Sequence, residues 1–328
     1  MKAIVIKQPG GPEALHVEEM AKPEPGLGEI QVRVQAAGLN QADILQRQGK
    51  YPPPPDSPQN IPGLEFAGTV EKLGAGVQGF SIGERVFGLV SGGAYAEYLV
   101  TNARMLVKLP ERLSFIEGAS IPEVFITAYD AMVSQAHLAC GEKVLINAAG
   151  SGVGVAAIQI AHAIGATTIG TARTREKLEK AKAYGLDYSV VAQEGLFAEE
   201  VMKISGGVDV ILELVGGSYL SEDINCASLR SRIVLVGLLG GNSININLAK
   251  ILGKRLQITG THLRNRPLEE KITVTNILRK HLVPLFEQGI LRPVVDEIFP
   301  LAEAAQAHAY LETHKTFGKV ILTINKAE

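Results

Sequence analysis

The segment KVLINAAGSGVGVAAIQIA, beginning at Lys143, is the part of this sequence best equipped for chemistry. A continuous apolar run ends at Ala148, the chain turns through Ala149, Gly150, Ser151 and Gly152, and Val153 and Gly154 open a stretch with apolar residues at helical spacing. Glycine at the turn lets the backbone approach an anion closely. The helix start adds N–H groups that lack intrahelical partners, at the positive end of its dipole. Together these make a cradle for a pyrophosphate, and a strand before and a helix after are the setting such a loop requires. Gly154 lets the helix lie close on the strand. The loop departs from G-x-G-x-x-G at its first position, Ala149, and its third, Ser151.

The second strand of such a unit decides which dinucleotide fits. An acidic residue about 20 residues beyond the loop holds the ribose hydroxyls of NAD. Here the segment is TTIGTARTREKLEK, with Arg173 at the strand end and Arg175 and Lys177 just after it, and no carboxylate at the strand end. Three cations there suit a 2′-phosphate, which the planar fork of arginine meets with two parallel charge-assisted hydrogen bonds. The same residues would also serve as a solvated first helical turn, but the missing acid favours NADPH.

Other chemistries lack their residues. Cys140 and Cys226 are too few and too far apart for a catalytic or a structural zinc site, and the seven histidines show no ligand pairing. Each histidine reads as a surface or packing residue. The reactivity must then come from a bound cofactor that the protein positions. With a formal net charge of −2, no overall field holds the chain on nucleic acid or an acidic membrane. The short apolar start, no apolar run long enough for a membrane span, and too few cysteines for a disulfide framework all point to the reducing cytosol.

The elements that must position this loop follow from the hydrophobic rhythm. The 328 residues suggest two domains. Up to about Pro110, short Val-, Ile- and aromatic-rich runs separated by Gly and Pro (Ala3–Lys7, Glu29–Ala36, Gly68–Leu73, Arg85–Leu89, Tyr95–Val100) predict a mostly antiparallel β domain. A short helix over Ala42–Arg47 leads into a proline loop. From Gly141 strands and helices alternate: Lys143–Ala148, Val153–Ile164, Thr167–Ala172, Arg175–Tyr184, Asp187–Val191, Val208–Leu214, Ile233–Leu238 and Leu256–Thr259. That rhythm predicts a parallel sheet wound on both faces, the Rossmann arrangement. Beyond Leu263 come a helix over Glu269–Gln288, a strand Val294–Ile298, a helix Leu301–Glu312 and a strand Gly318–Ile324, a tail expected to return to the first domain.

The runs KQPGGPEAL, GLNQADILQRQGKYPPPP, IPGLEFAGTVEKLGAGV, AAGSGVGVAAIQIA, VGLLGG and GKVILTI stand in an order that resembles the zinc-free medium-chain dehydrogenase/reductases, in particular their zeta-crystallin and quinone oxidoreductase group. Zinc-containing members carry a cysteine near the position of Asn40 and a histidine before the glutamate of G-H-E; here those places hold Asn40 and Leu64, with Glu65 kept. The resemblance implies an α/β fold: a GroES-like, mostly β catalytic domain over residues 1–122 and 264–328, with a doubly wound NADPH-binding domain inserted over 123–263 and the active site in the cleft between them. It places Asn40 beside the nicotinamide or the substrate and Tyr51 in the quinone pocket. It puts Gly150, Ser151, Gly152, Val153 and Gly154 at the pyrophosphate, and Lys177 at the 2′-phosphate, with Arg173 and Arg175 sharing that load. The carboxamide falls to the backbone around Gly237, Leu238 and Leu263, and the cleft wall near the cofactor to Thr127 and Lys319. The activity implied is hydride transfer from NADPH to a small quinone, with Tyr51 and Asn40 donating hydrogen bonds to the developing oxyanion and water supplying the protons. Reduction of enals or enones, or a non-catalytic NADPH-binding role, would use the same frame. A homodimer, or a dimer of dimers, is also implied.

Overall fold

A computed structural model describes residues 1–324, which divide into two units: Met1–Ile126 with Leu263 onward, and Thr127–His262. The first division falls inside the helix Pro122–Tyr129, a few residues past the boundary drawn from sequence, and Leu263 belongs to the first unit rather than the second.

The first unit opens with β1 (Lys2–Ile6) and β2 (Leu15–Glu19), an antiparallel pair. Then follow β3 (Glu29–Gly38), β4 (Glu65–Leu73), β5 (Arg85–Leu89), β6 (Tyr98–Asn102) and β7 (Leu106–Lys108). β3 and β4 pair antiparallel with two register shifts, which bend the ribbon and increase its twist. Ile30, Val32 and Val34 of β3 are buried with Phe66, Val70, Val86, Leu99 and Leu106 in one apolar core. The β2 and β7 strands are too short and too mixed in polarity to stand out in sequence. The strand expected from Tyr95 begins at Tyr98 instead, because Tyr95 is buried in the core and turned to a polar partner.

The second unit carries β8 (Lys143–Ile146), β9 (Thr167–Ala172), β10 (Tyr188–Val191), β11 (Val208–Glu213), β12 (Ala227–Leu235) and β13 (Gln257–Gly260). All pairs are parallel and the order is β10-β9-β8-β11-β12-β13. The order reverses direction between β8 and β11, so the loops after those two strands part to opposite sides, the place where open parallel sheets bind ligands. β12 begins earlier than its sequence suggested and ends at Leu235, leaving Gly237 and Leu238 in the following loop.

The chain then re-enters the first unit. The segment read as one helix over Glu269–Gln288 is interrupted by a π-helical stretch at Leu278–Leu282, just before Pro284, whose missing N–H cannot serve a regular ladder. β14 (Val295–Pro300) pairs parallel with β15 (Lys319–Thr323), and β15 pairs antiparallel with β3. The tail thus completes the first sheet, as the strand pattern implied, and the parallel-sheet unit is an insertion. Among the described residues no helix is long and apolar enough to cross a membrane.

Candidate active site

In the second unit the loop after β8 is built by local bonds. Ala148 turns with φ of 50°, the Ser151 N–H donates to the Ala148 carbonyl at 2.8 Å, and the Ala149 N–H ties the loop to Thr171 of β9 at 2.8 Å. Ser151 caps the helix Gly152–Ile164, its Oγ accepting from the Gly154 N–H at 3.1 Å. That explains a serine in place of a third-position glycine: it satisfies an otherwise unpaired donor of the first turn. A side chain on Gly154 would stand 2.5 Å from the Ala148 carbonyl oxygen, so only glycine seats this helix against the loop. At Gly150 a Cβ would lie 2.9 Å from the Lys177 side chain, which places Lys177 against the turn. Arg173 and Arg175 are exposed and Lys177 is half-buried. The close backbone approach and the helix start fit the pyrophosphate of a nicotinamide dinucleotide.

Beneath this loop lies a buried network that sequence reading did not find. Asn147 donates to Glu213 Oε2 at 2.5 Å and to Asp223 Oδ1 at 2.8 Å, and accepts from Thr171 Oγ1 at 2.7 Å. Glu213 Oε1 in turn receives the N–H groups of Val215 and Gly216. One amide and one acid therefore fix both loops at the ends of the central strands. Burial, and then the Glu213 carboxylate beside it, hold the Asp223 carboxyl well above the usual carboxylate range. Gly237 lies against the Leu214 carbonyl, 2.4 Å from where a Cβ would stand; Leu238 is exposed and Thr127 buried.

The polar centre of the first unit is assembled from distant segments. Asn40 caps the helix Gln41–Arg47, and Asp43 returns the bond by accepting from the Asn40 N–H at 2.9 Å. The Asn40 side-chain amide donates to Glu65 Oε1 at 2.9 Å and toward the Gly38 carbonyl at 3.4 Å, while its oxygen accepts from Lys319 Nζ at 2.7 Å. Lys319, also bonded to the Leu39 carbonyl, pairs with Glu65 at 2.6 Å; both side chains are buried. Asn40 is thus a bracket for an ion pair, with both amide hydrogens engaged. Glu65 Oε2 accepts from the Glu123 N–H at 2.8 Å.

Asp43 is fully buried and accepts from the Gly63 N–H at 2.9 Å and the Tyr95 hydroxyl at 3.1 Å. Burial pushes its carboxyl up to about 6 against these donors. Tyr95 lies 3.3 Å from His308 Nε2, and His308 Nδ1 3.4 Å from Arg47, which pairs with Glu312 at 2.6 Å. Burial, with Arg47 alongside, lowers His308 to about 3, so the ring is neutral, the packing histidine its spacing suggested.

Tyr51 stands at the start of the proline loop, half-buried, and among the described residues its hydroxyl meets no hydrogen-bond partner. Arg264, missed in the sequence, lies 5.4 Å from its ring centre. The buried guanidinium donates to the Ser91 carbonyl at 2.8 Å, the Tyr51 carbonyl at 3.3 Å and Gln46 Oε1 at 2.6 Å, all neutral groups. A desolvated cation held without a bonded carboxylate is a ready partner for a developing anion. The neighbouring Leu263, expected at the carboxamide, is buried.

Comparison with known proteins finds relatives along the whole chain. Residues 26–111 match the alcohol dehydrogenase GroES-like domain and residues 152–279 the zinc-binding dehydrogenase family. The quinone oxidoreductase of Lama guanicoe is 37% identical over 331 residues, covering 99% of this chain and 98% of that one. The crystal structure of Escherichia coli quinone oxidoreductase complexed with NADPH superposes with a TM-score of 0.89 at 30% identity, covering 99% and 100% of the two chains. A structure described as an NAD-dependent alcohol dehydrogenase gives 0.90 at 34% identity over the same shares. The metal in the second family description has no fit here. Lys319 occupies the charge-balancing place on Glu65, Asn40 and Leu64 flank it, and among the described residues no three His, Cys, Asp or Glu side chains gather to hold an ion.

Proposed function

The chain belongs to the medium-chain dehydrogenase/reductases, an oxidoreductase similar over its full length to their quinone oxidoreductases, and from that premise we propose that it reduces small quinones with NADPH and without a metal. The observation that carries the reading is the buried Arg264 guanidinium 5.4 Å from the centre of the Tyr51 ring, whose hydroxyl meets no hydrogen-bond partner among the described residues. It offers a hydrogen-bond donor and a fixed cation, which an acceptor oxygen needs as negative charge develops on it.

In the second unit, Gly150, Ser151, Gly152, Val153 and Gly154 would hold the pyrophosphate, and Arg173, Arg175 and Lys177 the 2′-phosphate. Thr127, Gly237 and Leu238 are assigned to the nicotinamide end. Bound there, NADPH supplies the hydride. In the first unit, burial raises the Tyr51 phenol, so it stays protonated and able to donate. Asn40 and Lys319 act behind it by keeping Glu65 compensated.

The test follows loss of the reduced-nicotinamide absorbance with benzoquinone, phenanthrenequinone and an enal, each with NADPH and then NADH. Quinone-dependent NADPH oxidation well above the uncatalysed rate is expected. Turnover of the enal alone would make the protein a double-bond reductase, and tight NADPH binding with no turnover of any acceptor would make it a binding protein.

We also read the enzyme as a cytosolic homodimer. Among the described residues the outer edge of β13 has no neighbouring strand, and Leu248 and Leu252 nearby in sequence are 70% and 80% exposed, which suits a covered edge. Cys140 and Cys226 are both free thiols, as a reducing compartment keeps them. Sedimentation at a single concentration series checks the dimer.

A further inference from the structure

Three carboxylic acids crowd the polar centre of the first unit, and two are fully engaged. Both oxygens of Asp43 accept hydrogen bonds, from Gly63, Asn40 and Tyr95. Both oxygens of Glu65 do the same, from Asn40, Lys319 and the Glu123 backbone. Glu123 differs. Its N–H anchors it to Glu65 at the first turn of the helix Pro122–Tyr129, yet among the described residues nothing hydrogen-bonds its carboxyl, and the residue is only half-buried. That carboxyl lies in electrostatic reach of Glu65 on β4, Lys319 on β15, Asp43 on the helix Gln41–Arg47, Arg264, and the Tyr51 phenol.

We propose that Glu123 is the proton donor to the reduced acceptor. Two-electron reduction of a quinone by hydride leaves one oxygen anionic and one proton short. The O–H bond of the Glu123 carboxylic acid breaks, its electron pair stays on Glu123, and a new O–H bond forms on the acceptor oxygen to give the hydroquinone. The Glu123 carboxylate then recovers a proton from water. This replaces direct protonation by solvent, the route expected from sequence, with a positioned acid, and it rests on the quinone reading above.

Protonation is consistent with the surroundings. Burial, and then the neighbouring Glu65 carboxylate, push the Glu123 carboxyl up to about 8, with Asp43 adding to the rise and Lys319 and Arg264 opposing it. A hydroquinone monoanion is more basic than such an acid, so the transfer runs downhill.

The experiment is the pH profile of quinone turnover for the parent protein, Glu123→Gln and Glu123→Asp. The parent kcat is expected to fall with unit slope as pH rises through about 8. The isosteric Glu123→Gln keeps the backbone anchor but should lose that alkaline limb and roughly 10- to 100-fold in kcat, with KM little changed. The loss should be steepest for quinones whose reduced anions are most basic. Glu123→Asp should keep a limb, displaced in pH. Independently of turnover, infrared spectra of the cofactor-free protein should show a protonated-carboxyl band that titrates near the same pH and is missing in Glu123→Gln. An unchanged alkaline limb in Glu123→Gln, or no such band, overturns the assignment while leaving quinone reduction intact. Absence of quinone turnover by the parent protein overturns the quinone reading, and this assignment with it.

Discussion

The two polar regions of this protein are built on opposite plans. In the second unit, the loop from Ala148 to Gly154 presents backbone groups arranged by neighbours in sequence, and Arg173, Arg175 and Lys177 sit within a few residues of one another. In the first unit, Asn40, Tyr51, Glu65, Ser91, Glu123, Arg264 and Lys319 arrive from segments far apart in the chain, and most of their charge is buried. The contrast has a physical basis. Backbone N–H groups at a helix start attract an anion in any context that forms the turn. A buried charge, by contrast, is tolerable only while every partner is in place.

The sharpest way to break this comparison is to remove one partner from each region. Lys319→Met leaves Glu65 buried without its counter-ion and should cost about 3–5 kcal/mol in denaturant unfolding. Adding Glu65→Gln should recover a large part of that loss, since the uncompensated charge is then gone. A cost under about 1 kcal/mol for the single change would mean that the centre is not interdependent.

In the second unit the largest effect is expected from Gly154→Ala. Its Cβ meets a backbone carbonyl at 2.5 Å, so the helix must move, at about 1–3 kcal/mol. Gly150→Ala should be milder, because the group it meets is the flexible side chain of Lys177. Equal losses at the two glycines, followed by thermal unfolding, would contradict this view of the loop.

The smallest structural effect should accompany the clearest functional one. Arg173→Ala with Lys177→Ala should change stability by no more than about 0.5 kcal/mol. It should nevertheless weaken NADPH roughly 10- to 100-fold through lost charge-assisted hydrogen bonds. NADH binding, measured by the same calorimetric titration, should barely move. Equal weakening of both cofactors would remove these residues from the 2′-phosphate.

The same contrast separates what reading the chain could reach from what it could not. The alternation of strands and helices, the glycine loop and the cations after Ala172 are local patterns, visible because a turn, a cap or a strand end is specified by residues that are neighbours in sequence. Element edges were less legible. Tyr95 has the composition of a strand residue, yet its hydroxyl is needed by Asp43 across the core. β12 starts before its apolar run because Ala227 already pairs with Val208 of β11; the register then shifts, and pairing with both β11 and β13 resumes at Arg232.

Asn40 illustrates the limit within one residue. Its type and its place before a helix mark a cap, but only the fold brings Glu65 and Lys319 to its two amide ends and turns it into a bracket for an ion pair. Arg264 and Glu123 carried no signal at all, being an ordinary arginine after a loop and an ordinary glutamate at a helix start. The order of residues alone made legible the two-unit plan, the parallel sheet and the glycine turn that opens the helix Gly152–Ile164. Tertiary structure alone decided which charges are desolvated together, because desolvation and Coulomb coupling depend on distances through space that the order of residues does not encode.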